Sequence, residues 1–226
     1  MSVLDTAIGW LAPTECVGCG KEGSPLCPGC SALLAPFGER CWRCNSLSDG
    51  SSTCPACRHT GSPGRVFICT DYRGVPRELV RIFKFGHQRS AASALADMMA
   101  RTIQSAGAPD PGYLIVPVPT ATARRRERGF GHTELLAREL SLRLGLRREE
   151  ALGRLGQSQQ LGSKREERLS QLADKFYVKS PKSLPGAKIL LVDDVVTTGG
   201  TLIAATQALR KAGASRVDAL VFAKKL

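Results

Sequence analysis

Beyond residue 61 the chain alternates short, nearly continuous apolar runs with longer stretches whose apolar residues recur every three or four positions. The first pattern predicts strands buried on both faces, the second helices with one apolar stripe. Strands are expected at residues 65–72, 114–119, 188–194 and 216–223, and helices at 76–85, 91–104, 133–146 and 201–212. Thr133 stands where an N-cap would, with Leu136, Leu140 and Leu144 along the stripe behind it. Gly213 supplies a stop. Pro117 and Pro119 lack the N–H a central ladder needs, so they close the second strand. Helices set between apolar strands predict an α/β fold with a parallel sheet.

Residues 1–60 read differently. Eight of the nine cysteines lie there, as the pairs Cys16/Cys19, Cys27/Cys30, Cys41/Cys44 and Cys54/Cys57. Two residues between thiols let the backbone fold into a knuckle that aims both sulfurs at one ion. Four pairs are enough for two closed tetrahedral zinc sites, with adjacent and interleaved pairings both compatible with the spacing. A full set of thiolates leaves no open coordination position, so the expected zinc is structural. It would also stabilise a segment too short to bury much apolar surface.

Charge changes where the cysteines stop. Residues 1–60 carry four Lys/Arg and five Asp/Glu, whereas the remainder carries 28 and 15. With the turn-forming run Gly61, Ser62, Pro63 and Gly64, this predicts a zinc-binding module over 1–60 and a second domain over 61–226. The full chain has 226 residues and a net charge of +12, which attracts polyanions. No stretch approaches the roughly 18–20 apolar residues of a membrane span. The first residues lack the basic region and cleavage site of a secretory signal. A cytoplasmic location is therefore expected, and it disfavours disulfides for the cysteine pairs. A redox Cys-x-x-Cys would occur once, not four times.

The richest chemistry lies at 189–201. An apolar strand delivers Asp193 and Asp194 to its carboxyl end, and Thr197, Thr198, Gly199, Gly200 and Thr201 then open a helix. In open α/β sheets ligands bind outside the carboxyl ends of strands. This turn would offer backbone N–H groups and hydroxyls to a phosphate at a helix N-terminus. The aspartates suit ribose hydroxyls, or a Mg²⁺ ion carried by a polyphosphate. No Lys follows the glycines, so this is not the loop of a P-loop NTPase.

The whole stretch resembles the signature of the type I phosphoribosyltransferases, which bind phosphoribosyl pyrophosphate. That resemblance implies their parallel sheet with helices on both faces, with Mg²⁺ entering with the ligand. Pro117, Val118 and Pro119 resemble the strand and loop that cradle the pyrophosphate in these enzymes. Arg124 and Arg128 follow, with the bidentate guanidinium chemistry a leaving pyrophosphate needs. Asp193, Asp194, Arg124 and Arg128 are the expected catalytic set. Residues 157–168 resemble the mobile flap of amidophosphoribosyltransferases.

The order of these pieces, together with Tyr72, Lys84, Phe85 and Gly86, resembles the ComF family over essentially the whole chain. At Gly131 and His132 this chain departs from the Asn-Gln that many relatives carry. The resemblance implies a phosphoribosyl pyrophosphate-binding protein acting in DNA uptake, with single-stranded DNA and DNA-uptake proteins as partners. The alternative it carries is an active amidophosphoribosyltransferase-like enzyme.

Overall fold

The computed structural model describes residues 14–48, 53–59, 61–85, 89–107, 110–120, 131–154, 176–179 and 181–225. A short helix α1 (Pro28–Ala32) lies in the cysteine segment. Strand β1 (Val66–Asp71) leads into helices α2 (Gly74–Phe85) and α3 (Arg89–Ser105). Strand β2 (Tyr113–Pro117) precedes helix α4 (His132–Leu144). A small hairpin of β3 (Leu152–Arg154) and β4 (Phe176–Val178) follows. Strand β5 (Lys188–Val196), helix α5 (Gly200–Lys211) and strand β6 (Arg216–Lys224) complete the fold.

The main sheet runs β1-β6-β5-β2 with every neighbouring pair parallel. Strand side chains alternate between its faces, and two separate cores result. Phe67, Ile115, Leu190, Val192 and Leu220 pack under α2, α3 and α4. Val66, Val116, Leu191, Ala219 and Val221 pack on the other face with α5 and the small hairpin. Helices thus cover both faces, as the apolar runs require. Pro117 is tolerated because β2 is the last strand in the order, bonded beyond β5, among the described residues, through an isolated bridge from Ile115 to Arg148.

The cysteine segment wraps the opposite edge. Phe37 donates its N–H to the Cys69 carbonyl at 3.0 Å, and the Thr70 hydroxyl donates to the Ala35 carbonyl at 2.8 Å. Arg40 reaches both carboxylate oxygens of Asp71 at 3.2 Å. The exposed rim of β1 is covered in this way. Because the chain crosses the edge here, Cys16 and Leu26 join the core under α2–α4, whereas Phe37 and Trp42 join the core under α5.

Predicted strands and helices fall within two residues of their observed limits. One local expectation fails: Gly131, not Thr133, occupies the N-cap of α4. The Thr133 hydroxyl instead donates to the Val118 carbonyl at 2.6 Å, which pins α4 to the segment after β2. Among the described residues no helix is long and apolar enough to cross a membrane.

Candidate functional site

The carboxyl ends of β2, β5 and β6 open into a cavity of about 660 Å³. From the predicted set, Val118, Pro119, Asp193, Asp194, Thr197 and Thr201 line it. Pro117 is held in the ladder opposite Val192, and Gly199 caps α5. Arg124, Arg128 and the segment 157–168 lie outside the described residues. Lys84, His132 and Arg154 also line the cavity. Their types gave no signal of this, because each comes from a different element brought in by long-range packing.

The adjacent aspartates face different surroundings. Asp194 is buried, and its Oδ2 lies 2.7 Å from Lys84 Nζ and 3.2 Å from His132 Nε2. Burial opposes its charge, but His132 and Lys84 outweigh that and hold the carboxyl below the usual carboxylate range. Asp193 accepts the Asp194 N–H at 2.9 Å. Burial, then the charge of Asp194, pushes its pKa up to about 7, against the pull of Lys84 and Arg154. One carboxylate is therefore committed to an internal ion pair, while the other sits near its titration point at neutral pH.

His132 also ties the two rims together. Its Nδ1 lies 3.2 Å from the Thr120 hydroxyl, and its ring meets Phe83 edge-on at 6.0 Å between centroids. The loop after β2, helices α2 and α4, and the end of β5 converge on this one imidazole.

The turn between β5 and α5 leaves Thr197 and Thr198 exposed. Gly199 then adopts φ +81°, the left-handed region, and α5 starts without any side-chain cap. The first N–H groups of a helix have no intrahelical acceptor, and among the described residues no side-chain cap bond takes its place here. A positive helix end beside hydroxyls is a ready anion site. Lys224 Nζ donates to the Thr197 carbonyl at 2.5 Å and holds the turn from beneath.

The cysteines assemble as adjacent pairs. Cys16, Cys19, Cys27 and Cys30 form one cluster, and Cys41, Cys44, Cys54 and Cys57 a second, with sulfurs mutually within 4.8 Å in each. All nine cysteines are free thiols. Burial alone would raise Cys16, but the N–H groups of Cys27, Gly18 and Cys19 outweigh it and bring the thiol down to about 6. Bonds from Ser46 bring Cys44 to about 6 as well. Neighbouring sulfurs push Cys30 up to about 12, and burial with the thiols of Cys44 and Cys54 does the same to Cys57. Crowded thiolates of this kind can hold a metal ion, whose charge removes their mutual repulsion.

The chain is similar to several known proteins. Residues 126–226 match the phosphoribosyl transferase domain. Competence protein ComFC of Bacillus subtilis is 28% identical over 206 residues, covering 80% of this chain and 82% of that protein. DNA utilization protein YhgH of Escherichia coli K12 is 30% identical over 204 residues, covering 85% and 87%. The glutamine phosphoribosylpyrophosphate amidotransferase of B. subtilis, solved with ADP and GMP, aligns at TM-score 0.42 and 20% identity over 58% of this chain and 26% of that one.

Proposed function

Given that the chain belongs to the ComF family of phosphoribosyltransferase-like proteins, we propose that its cavity binds phosphoribosyl pyrophosphate. The observation that carries this reading is the uncapped start of α5, opening beside Asp193 at the rim of one cavity. The 5′-phosphate takes the N–H groups of that helix end and the hydroxyls of Thr197, Thr198 and Thr201. The ribose hydroxyls donate to Asp193. The pyrophosphate lies toward Val118, Pro119 and Thr120, from which the chain runs on to Arg124 and Arg128.

The carboxylates fit a magnesium ion held more by the ligand than by the chain, since Asp194 is already paired with Lys84. Bound in that way, Mg²⁺ supplies charge neutralisation on the pyrophosphate. Each cysteine cluster fits a structural zinc. Zinc–sulfur bonds of about 2.3 Å place tetrahedral sulfurs about 3.8 Å apart. Cys19 and Cys27 stand 3.7 Å apart, and Cys44 and Cys54 3.6 Å.

The role we assign is in handling incoming DNA within the cytoplasm. It is supported by the competence and DNA-utilization names of the relatives and by the basic excess beyond residue 61. The test is a thermal-shift titration with phosphoribosyl pyrophosphate and Mg²⁺, with ribose 5-phosphate and pyrophosphate as competitors. Stabilisation by the whole ligand, reversed by Asp193→Ala, supports the reading, and no shift with any of the three contradicts it.

A further inference from the structure

Gly199 is glycine for two reasons. Its φ of +81° disfavours any side chain, and a Cβ there would stand 2.0 Å from Cζ3 and 2.6 Å from Cη2 of Trp42. Trp42 immediately follows Cys41 and is 1% exposed. Its indole Nε1 donates to the Thr53 hydroxyl at 2.9 Å, and Thr53 immediately precedes Cys54. The ring is thus anchored to both knuckles of the second cysteine cluster and presses its benzo edge onto the residue that caps α5.

The other end of the turn is held by Lys224, which is 5% exposed. Its ammonium donates to the Thr197 carbonyl at 2.5 Å and to its neighbour's carbonyl, Lys225, at 3.1 Å. Thr197 is therefore held from β6, and Gly199 by an indole tied to the second cluster.

Among the described residues the first cluster packs on α2 and α3, not on the turn. Gly18 packs toward Val75 of α2, and Ser31 takes a hydrogen bond from Arg101 of α3 at 2.9 Å. None of its residues lines the cavity.

We propose that the second cluster, through Trp42, is a positioning element for the phosphate turn, so that its metal occupancy sets the affinity of that turn for phosphate, while the first cluster serves stability alone. This rests on the reading of the turn as a phosphate site. With a metal in place, four bonds fix Cys41 and Cys54 and hence the seat of the indole. Without it the thiolates repel, the knuckles part, and the N–H groups of α5 lose their common aim. Trp42 is a positioning residue here, since it need not touch the ligand.

The experiment compares full-length wild type with Cys19→Ser, Cys44→Ser and Trp42→Leu. The two cysteines are matched, each an exposed ligand of its cluster. Three quantities are read: zinc per chain, amide hydrogen exchange of the peptide spanning 197–203, and affinity for phosphoribosyl pyrophosphate with Mg²⁺. In Cys44→Ser and Trp42→Leu the peptide should lose protection and affinity should fall roughly tenfold. Cys19→Ser should leave both unchanged, and Trp42→Leu should keep its full zinc, which separates positioning from metal retention. Should Trp42→Leu fail to fold, Thr53→Val, which removes the acceptor of the indole N–H, reads the same coupling. Equal protection of the peptide in all variants, or equal loss in the two cysteine variants, overturns the proposal. Failure of the wild type to bind the ligand instead overturns the phosphate reading, while exchange still decides whether cluster and turn are coupled.

Discussion

Lys84 Nζ lies 2.7 Å from Asp194 Oδ2, in a contact where the carboxylate side chain retains 5% of its exposure. Helix α2 therefore delivers a cation to the end of β5, and the second aspartate of the pair is bound to the protein before any ligand arrives. The two carboxylates differ in setting: Asp194 joins α2 and α4 to the sheet, and Asp193 lines the cavity where the proposed ligand would meet it.

Removing the cation should show this. Lys84→Met takes the ammonium from a buried carboxylate and leaves it the 3.2 Å contact with His132 Nε2. Breaking a buried pair from one side costs about 3 kcal/mol. Urea denaturation should report a loss of that order. Asp194→Ala should also destabilise the fold, whereas Asp193→Ala should raise the midpoint at neutral pH, because it removes a carboxyl whose ionisation opposes folding.

The pH dependence follows from the raised Asp193. Its folded pKa of about 7 exceeds the ordinary value of 3.8, so the folded state holds the proton more tightly than the unfolded chain. Stability from this group is full below the unfolded value and is lost as pH rises between the two. Asp194 has the opposite sign: its stabilisation is present above its unfolded value and is lost as pH falls below it. Asp193→Asn should therefore flatten the decline toward neutral pH in denaturation midpoints. Ribose hydroxyls prefer the ionised carboxylate, so ligand affinity should also rise toward pH 7 more steeply in wild type than in Asp193→Asn.

Much of this site was legible because the apolar run of β5, the two aspartates and the Thr-Gly turn are contiguous, and short-range patterns survive folding. The hairpin of β3 and β4 was missed, since three-residue strands leave no period to detect. Lys84 and His132 were visible as residues but not as partners of Asp194, because they are 110 and 62 positions away in the chain. Thr133 was misplaced as a cap because a nearby strand-end carbonyl competes for its hydroxyl, and only tertiary structure supplies that acceptor. The pairing of the knuckles was likewise undecidable from spacing, and it is fixed by the chain crossing the β1 edge between Cys30 and Cys41.

The metal content should be two zinc ions per chain, released by a mercurial and counted with a chromophoric chelator. Eight thiols should become reactive together with that release. Cys69, which burial pushes up to about 12, should stay unreactive until the protein unfolds. Zinc at one ion per chain would mean that one cluster is not a metal site.

Binding of single-stranded DNA should depend on the basic groups beyond residue 61, not on the net-acidic residues 1–60. Each phosphate neutralised on a single strand adds about 0.7 to the salt slope of log affinity. Arg125→Ala with Arg126→Ala should make that slope shallower by about 1.4 if both contact phosphate. Fluorescence anisotropy across salt concentrations reads it, and an unchanged slope removes these arginines from the interface.

The most direct measurement is calorimetric titration of phosphoribosyl pyrophosphate with Mg²⁺ into wild type and Asp193→Ala side by side. The account predicts saturable binding of one ligand per wild-type chain. It predicts affinity weakened roughly tenfold or more in the variant, the cost of one lost hydrogen bond to a charged group. Indistinguishable isotherms, or no heat of binding in the wild type, would contradict it.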